Sequence, residues 1–263
     1  MPELPEVNTF QRYFDQTALD QKINEVVVHD DKIIRNMSGD EFMDLMKGRT
    51  FTGSYRRGKY LFGILDNGHH VLLHFGMTGD LVYYSDPIDQ PRHERFAFHF
   101  SDGFVLGFDC PRKFARICYL ENLDEYLKEI KLGEDAQRIT EDYFLAKIKG
   151  KKGSIKGFLL NQSIFAGMGN LYADQVCFQT RVHPESVCDK ISKKKQKEIF
   201  STMQEVLKSA IAKSIDYKSN DFDEQFSWRT EGAKAPNKRS KVCSRKIAGR
   251  TTYFAKGWQK LYK

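Results

Sequence analysis

What the chain lacks narrows its class first. Its five cysteines, at Cys110, Cys118, Cys177, Cys188 and Cys243, are odd in number, scattered, and nowhere arranged as C-x-x-C. That spacing argues against a disulfide framework and favours a reducing, intracellular setting. No apolar run approaches the roughly 20 residues of a membrane span. The opening MPELPEVNTFQRYFDQTALDQ is polar throughout and offers no signal-peptide core. There is no internal repeat and no low-complexity tract. What remains is a chain of 263 residues, 40% hydrophobic, which is enough for two modest domains and a substantial core.

Acidic residues are also missing from one place. The last thirty residues, KAPNKRSKVCSRKIAGRTTYFAKGWQKLYK, hold ten Lys/Arg and no Asp or Glu. The whole chain carries 42 basic and 35 acidic residues, for a net charge of +7, so 42 less ten leaves 32 against 35 elsewhere. A basic end on a mildly acidic body points to a polyanionic partner, most simply nucleic acid. A solubilising tail is the alternative. Val242, Ile247, Tyr253, Phe254 and Trp258 suit a small folded unit better than a loose arm.

Two textures follow each other along the chain. PEVNTFQRYFDQTAL reads as one helix. From about 22 to 120, short β-branched and aromatic runs (KINEVVV, FTGSYRR, KYLFGIL, HHVLLHF, DLVYYS, RFAFHF, FVLGFD) alternate with turn signals such as DNG at 66–68 and SDG at 101–103. This spacing predicts an antiparallel sandwich or barrel. After about 121 the pattern is helical. Ile199, Phe200, Met203, Val206, Leu207, Ala210 and Ile211 form a core-facing stripe, with the lysines at 193–195 and 197 on its solvated face.

The stretch SIKGFLLNQSIFAGMGNLYADQVCFQTRVHP, residues 154–184, superficially suggests a dinucleotide-binding glycine loop, but a helical pattern rather than a strand precedes it. It reads instead as helix, glycine turns, helix. Gly167 and Gly169 permit the turns. Asn170 is placed to cap the second helix, whose free N–H groups suit a phosphate, with Lys152 and Lys156 close in sequence. An ordinary helical hairpin fits the same residues.

Taken together, PELPEV, RRGKYL (56–61), HFGMTGDL (74–81), DCPRKF (109–114) and LLNQSIFAGMGNLYADQVCF resemble, in order and over nearly the full length, the motifs of the Fpg/Nei family of DNA glycosylase/AP lyases. The LPEV form is more similar to the Fpg branch. The resemblance implies an α+β fold: an N-terminal catalytic β-sandwich with flanking helices over 1–122, a linker over 123–135, a helix-two-turn-helix DNA-binding domain over 136–232, and a β-hairpin finger over 233–263. It implies double-stranded DNA with damaged bases or abasic sites as partner, no cofactor, no membrane association and a monomer.

The resemblance also assigns roles. Once Met1 is removed, Pro2 would carry a secondary amine that attacks the sugar C1′ and forms an iminium, an electron sink for β,δ-elimination. A frayed, featureless N-terminus is the bland alternative. Glu3 would be the general acid/base, and Glu6 would help position Pro2 or the lesion. Lys59 would donate a proton or contact phosphate, although from sequence alone it reads as a solvated strand lysine. A base cannot be attacked inside the stack, so the nucleotide must be extruded and the gap filled. Met77, Arg112 and Phe114 match the Fpg void-filling trio. His93, Lys152, Lys156, Asn170 and Arg250 match phosphate-contact positions.

Two departures stand out. Cys110 precedes Pro111 where the family usually has Asp. At the finger, Ser240, Cys243, Ala255 and Trp258 occupy the positions of four zinc-ligating cysteines, and one thiolate cannot hold tetrahedral zinc. The expectation is a zincless hairpin held by residues such as Ile247, Phe254 and Trp258, with Arg250 keeping the finger arginine's place. The segment 216–236, which ordinarily carries a lesion-capping loop, also departs from the Fpg pattern. Preference for oxidised purines is therefore expected less firmly than base excision. A Nei-like pyrimidine preference, or a protein that binds damaged DNA or structured RNA without chemistry, stays open.

Overall fold

Helix α1 spans Leu4–Ala18. Its start is held by the Glu6 carboxylate, which accepts the Glu3 backbone N–H at 2.7 Å. This is one half of a capping box, with Pro5 in the first turn. Leu4, Val7, Phe10, Phe14 and Ala18 recur at helical spacing and are all buried. The computed structural model to which the helix belongs describes residues 2–213 and 226–263. The chain divides into two units, residues 1–131 and 132–263. Residues 216–225 of the expected lesion-capping segment lie outside the described residues. No described helix is long and apolar enough to cross a membrane.

After α1 the first unit contains β1 (Ile23–Val28), α2 (Gly39–Met46), β2 (Phe51–Arg57), β3 (Tyr60–Leu65), β4 (His70–His74), β5 (Asp80–Tyr84), β6 (Glu94–Phe100), β7 (Val105–Asp109), β8 (Arg116–Leu120) and α3 (Leu123–Glu129). Two four-stranded antiparallel sheets form, in the orders β1-β6-β7-β5 and β2-β3-β4-β8. Short hairpins join β3 to β4 at the DNG turn and β6 to β7 at the SDG turn, as those turns predict, while β1–β6, β5–β7 and β4–β8 pair across longer connections. Phe51 of one sheet meets Phe98 of the other edge-on at 5.3 Å, in a core where Phe42, Phe62, Phe96 and Phe108 are also buried.

The strand-like reading of 22–120 passes over α2. Its signal is local: Ser38 and Glu41 form a complete capping box, with Glu41 N–H to Ser38 Oγ at 3.2 Å and Ser38 N–H to Glu41 Oε2 at 2.9 Å. Strand β8, RICYL, is also absent from the expected set. It completes its sheet by pairing His70–His74 with Leu120–Arg116.

The second unit holds β9 (Glu134–Asp135), α4 (Glu141–Ile148), α5 (Ile155–Leu159), β10 (Phe165–Ala166), α6 (Asn170–Gln179), α7 (Lys193–Lys213), β11 (Val242–Ile247) and β12 (Arg250–Ala255). Strands β9 and β10 pair in parallel. Six of the seven expected stripe residues of α7 are buried, with Phe200 only partly so. The Gln162 side chain shapes the turn between α5 and α6. Its Nε2 donates to the carbonyls of Leu160 (2.9 Å) and Met168 (2.8 Å), and its Oε1 accepts the Gly167 N–H (2.9 Å).

Strands β11 and β12 form a hairpin closed by the two residues Ala248 and Gly249, at φ 49° and 75°. Positive φ at both centres defines a type I′ turn, which favours Asn-Gly. Alanine is strained there. Ala248→Asn should raise stability by about 0.5–1 kcal/mol, measured by chemical denaturation of the two chains side by side.

Candidate functional site

In the first unit, α1 runs antiparallel to β2. Leu19, just past the end of the helix, bridges to Phe51, and nearer its start Asp15 and Gln11 both bond Ser54 Oγ, at 2.5 and 2.9 Å. The beginning of α1, with Pro2, Glu3 and Glu6, is therefore directed toward the β2–β3 turn. That turn is Gly58–Lys59, with Gly58 at φ 60°. Lys59 is thus a turn residue, not a solvated strand lysine, and it is buried. Glu3 is buried as well, while Pro2 is half-buried. Buried charged side chains are retained where they are paired or put to use.

The same helix sets the 75–79 loop. Phe10 stacks on Phe75 at 4.1 Å, and Phe75 stacks on Phe108 at 5.5 Å. Gly76 has φ 59°, and a Cβ there would lie 2.4 Å from both the carbonyl carbon and oxygen of Phe114. This close approach requires glycine. The Arg112 N–H reaches Thr78 Oγ1 at 3.4 Å. Loops 75–79 and 110–115 are thereby joined, and they present three side chains outward. Met77 is 39% exposed and Phe114 53% exposed, and the Arg112 guanidinium lies over the Phe114 ring at 5.2 Å. Large exposed apolar residues converging on one spot need a reason.

His93 lies beside this assembly. Its N–H donates to Asp109 Oδ1 and its carbonyl accepts the Cys110 N–H, both at 2.9 Å. Cys110 itself is fully buried. The cysteine departure is accommodated, because its contacts to His93 and Arg95 are made through the backbone.

His74 escapes the sequence reading. It stacks at a tilt on Tyr60 (4.9 Å), and its Nδ1 accepts the Gly76 N–H at 3.2 Å. Arg116 lies over the other ring, 5.8 Å from the Tyr60 centroid. Burial, with the Arg116 and Lys59 charges, lowers the His74 pKa to about 3. Only its place at the start of the glycine loop hints at this in sequence.

In the second unit, two expectations are corrected. Asn170 does not cap α6: the N-cap is Gly169, and the Asn170 Nδ2 instead donates to the Thr251 carbonyl of the hairpin at 2.9 Å. Lys156 does not face a ligand. It is fully buried, with Nζ 2.5 Å from both Asp174 Oδ1 and Thr252 Oγ1. Asp174, also fully buried, accepts further bonds at Oδ2 from Arg229 (2.9 and 3.1 Å) and from the Tyr253 N–H (3.2 Å). Burial pushes the Lys156 pKa down, and the Asp174 charge offsets part of that. The missed signal was Asp174, a lone acid in the otherwise uncharged helix NLYADQVCFQ. Lys152 and Arg250 are exposed, Lys152 ahead of α5 and Arg250 at the start of β12 beside the type I′ turn.

The four finger positions do not suit zinc. Ala255 is fully buried in an apolar cluster with Phe178, Ala235 and Val242, against which Trp228 and Trp258 pack. Phe178 stacks on Trp228 at 3.8 Å, and Arg181 lies 4.1 Å from the Trp258 ring centre. Cys243 Sγ donates weakly to the Phe254 carbonyl, and Ser240 Oγ accepts from Asn237 Nδ2. Among the described residues no three potential metal-ligating His, Cys, Asp or Glu side chains gather.

A phenylalanine-rich sandwich unit and a helix-two-turn-helix unit with a basic hairpin, carrying an acidic first turn and an exposed Met/Arg/Phe trio, define a recognisable class. The family model for the formamidopyrimidine-DNA glycosylase N-terminal domain matches residues 1–117, and that for the H2TH domain of the same family matches 132–220. The chain belongs to the formamidopyrimidine-DNA glycosylase family. It is 31% identical to the Mycoplasma mobile formamidopyrimidine-DNA glycosylase over 99% of this chain and 100% of that one. It is 31% identical to the Arabidopsis thaliana enzyme over 100% of this chain and 72% of that one. Its fold matches Lactococcus lactis Fpg bound to DNA containing an abasic site (TM-score 0.89, 24% identity, 98% and 99% coverage). It also matches MutM in complex with DNA containing carbocyclic 8-oxo-G (TM-score 0.89, 24% identity, 98% and 100% coverage).

Two outcomes are expected. Lys156→Met takes one of two cations from the buried Asp174, with Arg229 left in place, and should cost about 1–3 kcal/mol, read by denaturant unfolding. His74, with its folded pKa below the ordinary 6.5, gives stability that is full above about pH 6.5 and is lost as pH falls toward about 3. His74→Asn keeps an acceptor for the N–H two residues on but cannot titrate. Its melting temperature should fall less steeply than the parent's between pH 6.5 and 4.

Proposed function

We propose that this chain is a base excision repair DNA glycosylase with AP lyase activity, working through the Pro2 amine on oxidised bases, purines favoured, in double-stranded DNA. The observation that carries this reading is the start of α1. A half-buried proline, a buried Glu3 and the N-terminal carboxylate Glu6 are directed together toward the buried Lys59 turn. A protein that only bound DNA would have no use for that arrangement. Work on DNA places the protein inside the cell.

Removal of Met1 would leave Pro2 with a secondary amine. Its lone pair attacks C1′ as the C1′–base bond breaks, and the departing base takes up the proton that the amine gives up. Glu3 serves the sugar oxygen, donating as the ring opens. Loss of the amine proton leaves a neutral adduct that becomes the C1′ iminium. The iminium acidifies C2′, so the 3′ phosphate leaves by β-elimination, and a second elimination releases the 5′ phosphate. Met77, Arg112 and Phe114 occupy the space left by the extruded nucleotide. Lys152 and Arg250 contact backbone phosphate, His93 supports the same role in the first unit, and Asn170 holds the hairpin. Lys156 acts through the hairpin it anchors.

Borohydride trapping on lesion-bearing and pre-formed abasic duplexes tests the reading. The processed chain should yield a covalent adduct, and a chain with a fixed N-terminal extension should not. Glu3→Gln should lower excision of a damaged base by about 10²–10⁴-fold, while cleavage at a pre-formed abasic site falls far less. Strand cleavage by the extended chain would remove Pro2 from its role, and undiminished excision by Glu3→Gln would remove Glu3. A panel including oxidised pyrimidines reads the base preference directly.

A further inference from the structure

The exposed trio rests partly on a turn that is not inherently stable. Lys113, between Arg112 and Phe114, has φ 56°, in the left-handed region that non-glycine residues avoid. Its N–H closes the turn onto the Cys110 carbonyl at 3.3 Å. Something must hold Lys113 there, and the structure offers one charged partner. Lys113 Nζ is 2.7 Å from Asp30 Oδ2, with the Asp30 side chain 11% exposed and that of Lys113 48% exposed.

Asp30 follows the end of β1 and is itself fixed. Its Oδ1 accepts the Lys32 N–H at 3.2 Å, and its own N–H donates to the Arg95 carbonyl at 3.2 Å. The Arg95 side chain then reaches the other end of the turn, donating from Nε to the Cys110 carbonyl at 2.9 Å. One acid therefore grips the turn twice, by its carboxylate at Lys113 and by its backbone through Arg95 at Cys110. The Lys113 contact holds the Asp30 carboxyl below the usual carboxylate range, with help from the Lys32 N–H and the Arg95 charge.

We propose that Asp30 is a positioning residue for the gap-filling loop: its ion pair with Lys113 keeps the turn in the left-handed conformation that aims Arg112 and Phe114 outward together. This rests on the reading of that pair as the filler of the gap opposite the extruded nucleotide. Asp30 touches no substrate. It acts on the step in which the loop enters the duplex, not on the chemistry at C1′.

The experiment uses the full chain and a duplex carrying a tetrahydrofuran abasic analogue opposite 2-aminopurine, whose fluorescence reports entry of the loop. Asp30→Asn keeps the acceptor for Lys32 and loses the charge. At saturating protein and low salt it should slow the fluorescence change by about twofold to fivefold, the range expected of a half-exposed pair. Asp30→Glu should restore most of the rate. Salt screens such a pair, so the gap between parent and Asp30→Asn should narrow as ionic strength rises, which a purely structural defect would not do. Equal rates at low salt, or a deficit that salt leaves unchanged, would overturn the inference. The doubly truncated Arg112→Ala/Phe114→Ala chain separates the two levels. If it still gives the full signal, the gap-filling reading itself is wrong and Asp30 has no loop to position.

Discussion

The ring stack Phe10–Phe75–Phe108 is the contact on which the geometry of the first unit depends. It passes from helix α1, through the first residue of the glycine loop, into strand β7 of the β1-β6-β7-β5 sheet. Stacked aromatic pairs have preferred offsets and large buried areas, so they resist small displacements better than aliphatic contacts do. A chain terminus usually frays. Here the terminal helix is pinned by rings on one side and by the Gln11–Ser54–Asp15 hydrogen bonds on another. The nucleophile proposed at Pro2 would need this kind of anchoring, because catalysis by orientation fails with an ångström of slack.

The second unit is organised around a different kind of interaction. Asp174 is wholly buried and is satisfied by Lys156, Arg229 and the Tyr253 N–H. Such a centre is a poor source of net stability, since desolvation offsets the attraction. It is strongly directional, however, and its partners come from α5, from β12 and from the chain between α7 and the hairpin. In relatives with four cysteines, zinc would be expected to fix the finger internally. In this chain the aromatic and alanine cluster around Phe178 and Ala255 fixes it by packing, and the carboxylate adds direction that packing lacks.

Much of the fold was legible in local pattern. The DNG and SDG turns, the alternating aromatic runs and the α7 stripe each encode structure within about ten residues, and each appears where the pattern placed it. Helix α2 escapes the pattern because its short capping box lies inside strand-like surroundings. The errors at the site share another cause. Sequence proximity to a glycine turn gives Lys156 and Asn170 outward roles. Their real partners, Asp174, Thr252 and Thr251, are 18, 96 and 81 residues away. Which way a lysine points depends on whether a distant acid waits for it, and no local periodicity carries that information. Asp30 escapes local pattern for the same reason, since its partner Lys113 lies in a loop far along the chain.

The exposed trio shows the opposite logic. Met77 and Phe114 leave apolar surface in water where a fold under pressure only for stability would bury it. Burying them would be easy, because the phenylalanine core lies directly beneath through Phe75. The two loops instead set glycine at 76, a hydrogen bond from Arg112 to Thr78, and a left-handed lysine at 113 to keep these side chains out. The positive φ at Gly76 and Lys113 departs from ordinary backbone preference, at a cost for the lysine, and all three features act on the same patch of surface. Features that disagree with local preference and agree with one another mark a place shaped by what it must meet rather than by folding alone.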